Sequence, residues 1–160
     1  MEFKATLDIR AKIITVAITA LFIFLIAQPM LAISNNGIRS RVYIPVLLCA
    51  IYFGAFAFSP RKYSIADGWL TIHRIIGKRK IPLSAIVSIE VLGGGLPISL
   101  RTFGVHGLFG YFGTFYNVSK GSMNWYITRC DHAILIRTSS GRKIVVSPDD
   151  KEAFLQALKR

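Results

Sequence analysis

Two patterns of apolar and polar positions divide the chain. Residues 13–38 carry no charged side chain, and after Arg39, Ser40 and Arg41 residues 42–60 again carry none. A helix needs roughly 20 mainly apolar residues to cross about 30 Å of hydrocarbon. The pattern predicts a transmembrane helical hairpin over 13–58, with spans at 13–33 and 42–58 and a loop at 34–41 that opens on Ser34-Asn35-Asn36-Gly37. Residues 1–12 form a short charged segment ahead of it. Such a start would suit a signal peptide, but the run that follows is longer than a signal core and Met30-Leu31-Ala32 is a poor cleavage match, so retention is expected.

Beyond Pro60 the apolar positions break into short segments that alternate with a period of two, which is the strand signature. Tyr63-Ser64-Ile65 leads through Asp67-Gly68 into Trp69 and the residues up to Ile75, an aspartate-glycine hairpin signal. Gly77-Lys78 turns the chain into 79–82, and Val87, Ile89 and Val91 alternate with Ser88 and Glu90. Further strands are expected at 111–118, 124–130, 133–138 and 142–146, joined in part by Lys120-Gly121 and Ser139-Ser140-Gly141. Seven or eight strands at this spacing predict an antiparallel barrel or sandwich over 59–160. The chain closes on Ser147 as a helix cap, Pro148 in the first helical position and Phe154, Leu155 and Leu158 on one side, which predicts an amphipathic helix at 148–159.

Charge adds a direction to this layout. Of 20 Lys and Arg, 15 fall in 59–160 against six of the eight acids, so that part carries about nine of the twelve net positive charges. A basic domain tied beside a bilayer has anionic headgroups as its ready partner, each nearby cation contributing about 1 kcal/mol. Nucleic acid is not expected, since no nucleic-acid motif accompanies the charge. Lys4, Arg10 and Lys12 precede the hairpin, and Arg61, Lys62, Arg74, Lys78, Arg79 and Lys80 follow it. The positive-inside rule then places both chain ends in the cytoplasm and the 34–41 loop outside, a multi-pass arrangement.

Two stretches are candidate sites. Arg74, Lys78, Arg79 and Lys80 gather around one turn and read as an anionic-lipid contact, or else as a solvated turn. Residues 101–116 hold glycines at 104, 107, 110 and 113 among six aromatics. Read as a surface loop, Arg101, Phe103, Phe109, Tyr111 and Phe112 would meet the membrane interface or a protein partner. Read as structure, the glycines supply bends and the aromatics fill a core.

Chemistry is thinner. Cys130-Asp131-His132 looks like a nucleophile and base, but neighbours on a turn rarely face one another. Cys49 and Cys130 have no metal-ligand spacing, and His73 and His106 are isolated, so neither a metal nor another cofactor is expected. Arg101, His106 and His132 are the residues an enzyme would have to use. Gly54 with Ala50, Ala55 and Ala57 permits close helix packing, so an alternative is an accessory subunit that meets a larger complex through its hairpin, and homo-oligomers are possible on the same ground.

The residues running from Tyr63 to Ile72 and from Lys80 to Glu90 resemble the opening of bacterial pleckstrin-homology-like domains. Arg101-Thr102-Phe103-Gly104, the Gly107 to Gly113 segment and Val146-Ser147-Pro148-Asp149-Asp150 with Phe154-Leu155 are similar to that family's later motifs. The resemblance implies a mainly-β PH-like barrel capped by a C-terminal helix, often found after a transmembrane hairpin. It also implies a non-enzymatic module of the bacterial cytoplasmic membrane that binds a protein partner or anionic lipid.

Overall fold

The structure is a computed structural model that describes residues 1–31, 38–92 and 100–158. Helix α1 spans Ile9–Leu31 and α2 spans Ile38–Phe58. Asp8 starts α1 as its cap: its Oδ1 accepts the Ala11 amide at 2.7 Å and its carbonyl accepts Lys12 at 3.0 Å. The two helices pack through Tyr52, whose hydroxyl lies 3.0 Å from Thr19 Oγ1 and whose ring meets Phe22 at 6.1 Å. Of the two expected spans, Ile9–Gln28 is, among the described residues, the one long and apolar enough to cross a membrane; the apolar stretch of α2, Val42–Phe58, is shorter. Residues 34–37 of the expected loop lie outside the described residues, and 38–41 already belong to α2.

Strands β1 (Glu2–Lys4), β2 (Pro60–Ala66), β3 (Trp69–Arg74) and β4 (Lys78–Pro82) form an antiparallel sheet in that order. Strands β5 (Ile86–Val91), β6 (Leu100–Gly107), β7 (Gly110–Asn117), β8 (Gly121–Ile127), β9 (Ile134–Thr138) and β10 (Lys143–Val146) form a second, in the order β5-β9-β10-β8-β7-β6. Helix α3 (Lys151–Leu158) follows.

The expected closed barrel of seven or eight antiparallel strands gives way to these two open sheets, in which β8 and β10 run parallel. The reason lies in the six-stranded sheet, whose central strands β9, β10 and β8 are buried on both faces. Along β9, Ile134 and Ile136 face the four-stranded sheet and Phe154 of α3, while Leu135 between them packs with Trp125, Phe115 and Val145 on the far side. Strands buried on both faces lose the polar positions of a one-sided sheet and read as continuous apolar runs, as Ile144-Val145-Val146 does. A sheet with a core on each side has no need to curl onto itself.

The parallel pair is fixed by Ser147. Its Oγ accepts the amides of Thr128 at 2.9 Å and Arg129 at 3.3 Å, which holds the end of β10 beside the end of β8. Ser147 is therefore not a helix cap, and the expected start at 148 moves to Lys151. Asp150 caps instead, its Oδ1 accepting Ala153 N at 2.9 Å. Tyr63 joins the sheets from β2: fully buried, its hydroxyl donates to Tyr126 O at 2.6 Å and accepts from Ser147 N at 3.2 Å.

Two strands escaped the sequence reading. β1 lies ahead of both helices yet pairs with β2 behind them, Phe3 opposite Tyr63. β6 is the other: it pairs with β7, the strand expected at 111–118, and turns the glycine–aromatic segment into a hairpin in which Gly104 faces Gly113 and Gly107 faces Gly110. A Cβ on Gly104 would stand 2.2 Å from Phe112 O, and one on Gly113 would stand 2.3 Å from Phe103 O, so neither site accepts any other residue without moving the backbone. The three-residue glycine period is thus a palindrome about the hairpin tip.

Candidate membrane-facing site

No linker separates helices from domain. β2 begins two residues after α2 ends, and the cap of α1 is itself bound to the sheet: Asp8 N donates to Thr128 O at 3.1 Å and Tyr111 Oη reaches Asp8 Oδ1 at 3.4 Å. The β6–β7 tip reaches past the charged start of α1. Thr15 Oγ1 donates to Gly107 O at 3.3 Å and accepts Phe109 N at 3.0 Å, while Ser59 Oγ donates to Phe109 O at 2.5 Å. Phe109 takes a left-handed φ of 57°, a conformation that side chains enter at a cost of order 1 kcal/mol or more. Its ring stacks edge-on against Tyr52 at 5.0 Å and Phe56 at 5.1 Å, which is what holds it there.

Phe109 is therefore bound to the chain's own helices. Tyr111 and Phe112 are 2% and 7% exposed and belong to the cores, whereas Phe103 is 80% exposed on β6. Of Arg101 the backbone in β6 is described, and its side chain lies outside the described residues.

A second tie sets the β3–β4 turn. Ile76 N donates to Ala57 O at 3.0 Å, answering one of the carbonyls left open at the end of α2. Ile75 and Ile76 at this turn are 54% and 55% exposed. Their neighbours are cationic: Lys78 follows, and Arg61 lies over the Phe56 ring at 4.3 Å.

The four basic residues grouped by sequence do not share a face. Across the β2–β3–β4 ladder, Lys62, His73 and Lys78 are in register, as are Ser64, Thr71 and Lys80, and these pairs share the outer face. Arg79 sits opposite the buried Ile72 on the inner face, and Arg74 lies on that face too, two residues along β3. His73 registers the outer field: partial burial, Lys62 and Lys78 hold its pKa below the usual histidine value, in that order of weight, against a smaller pull from Glu2. Its Nε2 lies 2.7 Å from Ser64 Oγ.

Arg74 is the residue sequence reasoning placed in the wrong company. Its guanidinium lies between the rings of Phe58 at 5.6 Å and Tyr126 at 5.8 Å, and its Nε is shut from solvent with no hydrogen-bond partner. It borders a groove of about 720 Å³ between α2 and strands β6 to β8. The signal that could have found it is the strand period, which puts Arg74 with Leu70 and Ile72.

The Cys130-Asp131-His132 run assembles no nucleophile. Asp131 is held by Arg129 through two bonds of 2.8 Å, and His132 Nδ1 lies 3.3 Å from Pro148 O. Burial, with the Asp8 carboxylate next in weight, pushes the Cys130 thiol up to about 11, the direction opposite to activation. His106 packs edge-on against Tyr111 at 4.9 Å. No three His, Cys, Asp or Glu side chains converge on a metal position among the described residues.

Two sheets and a C-terminal helix, with a helix pair fused to one end, define the class, and the sequence agrees. The model of the bacterial PH domain family matches residues 61–160, and the chain belongs to that family. None of the curated proteins and none of the solved structures compared with it matches.

Proposed function

We propose that this chain is a non-enzymatic PH-like module anchored in the bacterial cytoplasmic membrane, where its domain contacts anionic headgroups. The observation that carries this reading is the Ile76–Ala57 hydrogen bond, which fixes an exposed Ile-Ile turn flanked by cations at the very end of α2. Apolar side chains in the interface with Lys and Arg beside them are what an acidic bilayer surface binds.

Anchoring is supported by the bareness of the helices. Ile13, Val16, Leu21, Ile23 and Phe24 of α1 and Ile44, Val46, Leu47, Ile51 and Phe53 of α2 are all exposed, far beyond what a soluble surface tolerates. By length α1 extends about 35 Å, enough for the hydrocarbon core, and α2 about 32 Å, of which the apolar Val42–Phe58 stretch covers about 26 Å. Strand pairing supports two crossings: β1 precedes both helices and β2 follows them in one sheet, so a chain that leaves by α1 must return by α2. The excess of Lys and Arg on this side favours the cytoplasm.

The test uses the full chain in nanodiscs of neutral or part-anionic lipid. Hydrogen exchange at residues 75–80 is expected to slow in the anionic discs, and the slowing is expected to vanish in high salt and in Lys78→Ala. Equal exchange in both discs would overturn the lipid contact, and release of the chain from native membranes by alkaline carbonate would overturn the anchor.

A protein partner is the second reading. Leu100 and Phe103 are exposed on β6, which among the described residues is an outer strand of the six-stranded sheet, and an edge with apolar side chains suits an added strand. Photo-crosslinking from position 103 that yields no protein adduct in cells would remove it.

A further inference from the structure

The groove beside Arg74 is unlike the outer basic face. Its wall on the helix side is Gly54, Ala55 and Phe58, and its sheet side mixes Val105 and Phe112 with Thr114 and Asn124. Among the described residues no acidic side chain lines it. No carboxylate among the described residues pairs with Arg74, and its Nε, a polar atom shut from water, is costly without a hydrogen-bonding partner. Asn124 accepts the Thr114 hydroxyl at 3.3 Å through Oδ1, which leaves its amide nitrogen as a second donor for the groove. A Cβ at Gly54 would meet nothing within 4 Å, so the helix wall is open along its length at that point.

We infer that this groove holds one anionic membrane phospholipid, its phosphate on Arg74 and an acyl chain lying along Gly54 and Ala55 of α2. The inference rests on the anchored reading, since it takes the lipid from the membrane around α2. Charge complementarity selects the headgroup: Arg is a planar, permanently charged donor suited to phosphate, and the Nε of Arg74 has no partner of its own. The apolar half of the lining selects the tail. A free phosphate would use the polar end and leave the Gly54–Ala55–Phe58 wall bare. The site differs from the outer face in depth as well: Lys78 and Lys80 meet headgroups in open solvent, whereas Arg74 sits under Phe58 and Tyr126.

The experiment is native mass spectrometry of the full chain in detergent, titrated with phosphatidylglycerol, phosphatidylcholine or inorganic phosphate. One phosphatidylglycerol is expected to stay bound in preference to phosphatidylcholine. Arg74→Gln is expected to weaken it by about tenfold or more, the factor that goes with one charge-assisted hydrogen bond. Gly54→Leu, for which the groove has room, is expected to displace the lipid while amide exchange in β3 stays native. Lys78→Ala is expected to leave it in place. Undiminished phosphatidylglycerol in Arg74→Gln or in Gly54→Leu overturns the proposal, and so does equal retention of the neutral lipid or saturation by inorganic phosphate. A chain that remains carbonate-resistant yet retains no lipid refutes the groove alone, whereas a chain released by carbonate refutes the anchored reading beneath it.

Discussion

Replacing Phe109 tests whether the β6–β7 tip clamps the domain onto its helices. Two opposed terms decide the outcome. Removal of the ring loses the edge contacts with Tyr52 and Phe56, and for a half-buried phenylalanine the loss is about 2–3 kcal/mol, below the 3–5 typical of a full core position. The left-handed φ of 57° then separates the replacements: alanine keeps a strain of about 1 kcal/mol that glycine is free of. Phe109→Ala should therefore open the tip more often than Phe109→Gly, the reverse of their ranking inside ordinary strands or helices. Phe109 N–H is bound to Thr15, so its exchange reports this opening directly. In nanodiscs the amides of Gly107 to Gly110 should exchange about 30- to 150-fold faster in Phe109→Ala, and about fivefold less than that in Phe109→Gly. Acceleration below threefold in both, or a glycine variant looser than the alanine one, would refute the clamp.

Other consequences follow from single contacts. Tyr63→Phe strands Tyr126 O and Ser147 N in the core and should lower stability by about 1–3 kcal/mol, read as a fall in denaturation midpoint of the full chain in detergent. Gly104→Ala should prevent recovery of folded protein, because its Cβ would overlap Phe112 O, whereas Gly54→Ala should be silent; the yields of monodisperse protein compare them. The depressed pKa of His73 means that the unfolded chain takes up this proton first on acidification, so its contribution is complete above about 6.5 and is lost as pH falls through that value toward the folded pKa. An NMR titration in neutral discs should place the His73 midpoint below the usual histidine value, and anionic lipid should raise it by screening Lys62 and Lys78; an unmoved midpoint would count against headgroups at that face.

What could be read from the chain without coordinates followed local periodicity. The helices, the Asp67-Gly68 hairpin and most of the strands showed themselves through runs and alternation, and the family through its motifs. The closed barrel did not survive because alternation says which residues share a face and not whether the other face is also covered; Leu135 between Ile134 and Ile136 looks like one apolar run in either case. β1 was invisible since three residues with one apolar side chain carry no pattern, and its partner lies beyond two helices. Ser147 and Asp150 compete for one capping role, and tertiary bonds from Thr128 and Arg129 decide between them. The basic cluster was legible as charge, but only strand register separates Lys78 and Lys80 from Arg74 and Arg79.

The pairing of β1 with β2 also orders events during synthesis. Residues 2–4 leave the ribosome long before residues 62–64, and both helices must be placed before the two can meet. The helix pair is thus made first, and the sheet closes only after it, with the earliest strand kept waiting. A fragment that starts at Ser59 would expose the edge of β2 that β1 covers and would lack the Asp8 link to Thr128. Such a fragment is a poor stand-in for the domain, and an amino-terminal fusion that disturbs residues 2–4 would be felt in strands made only after both helices.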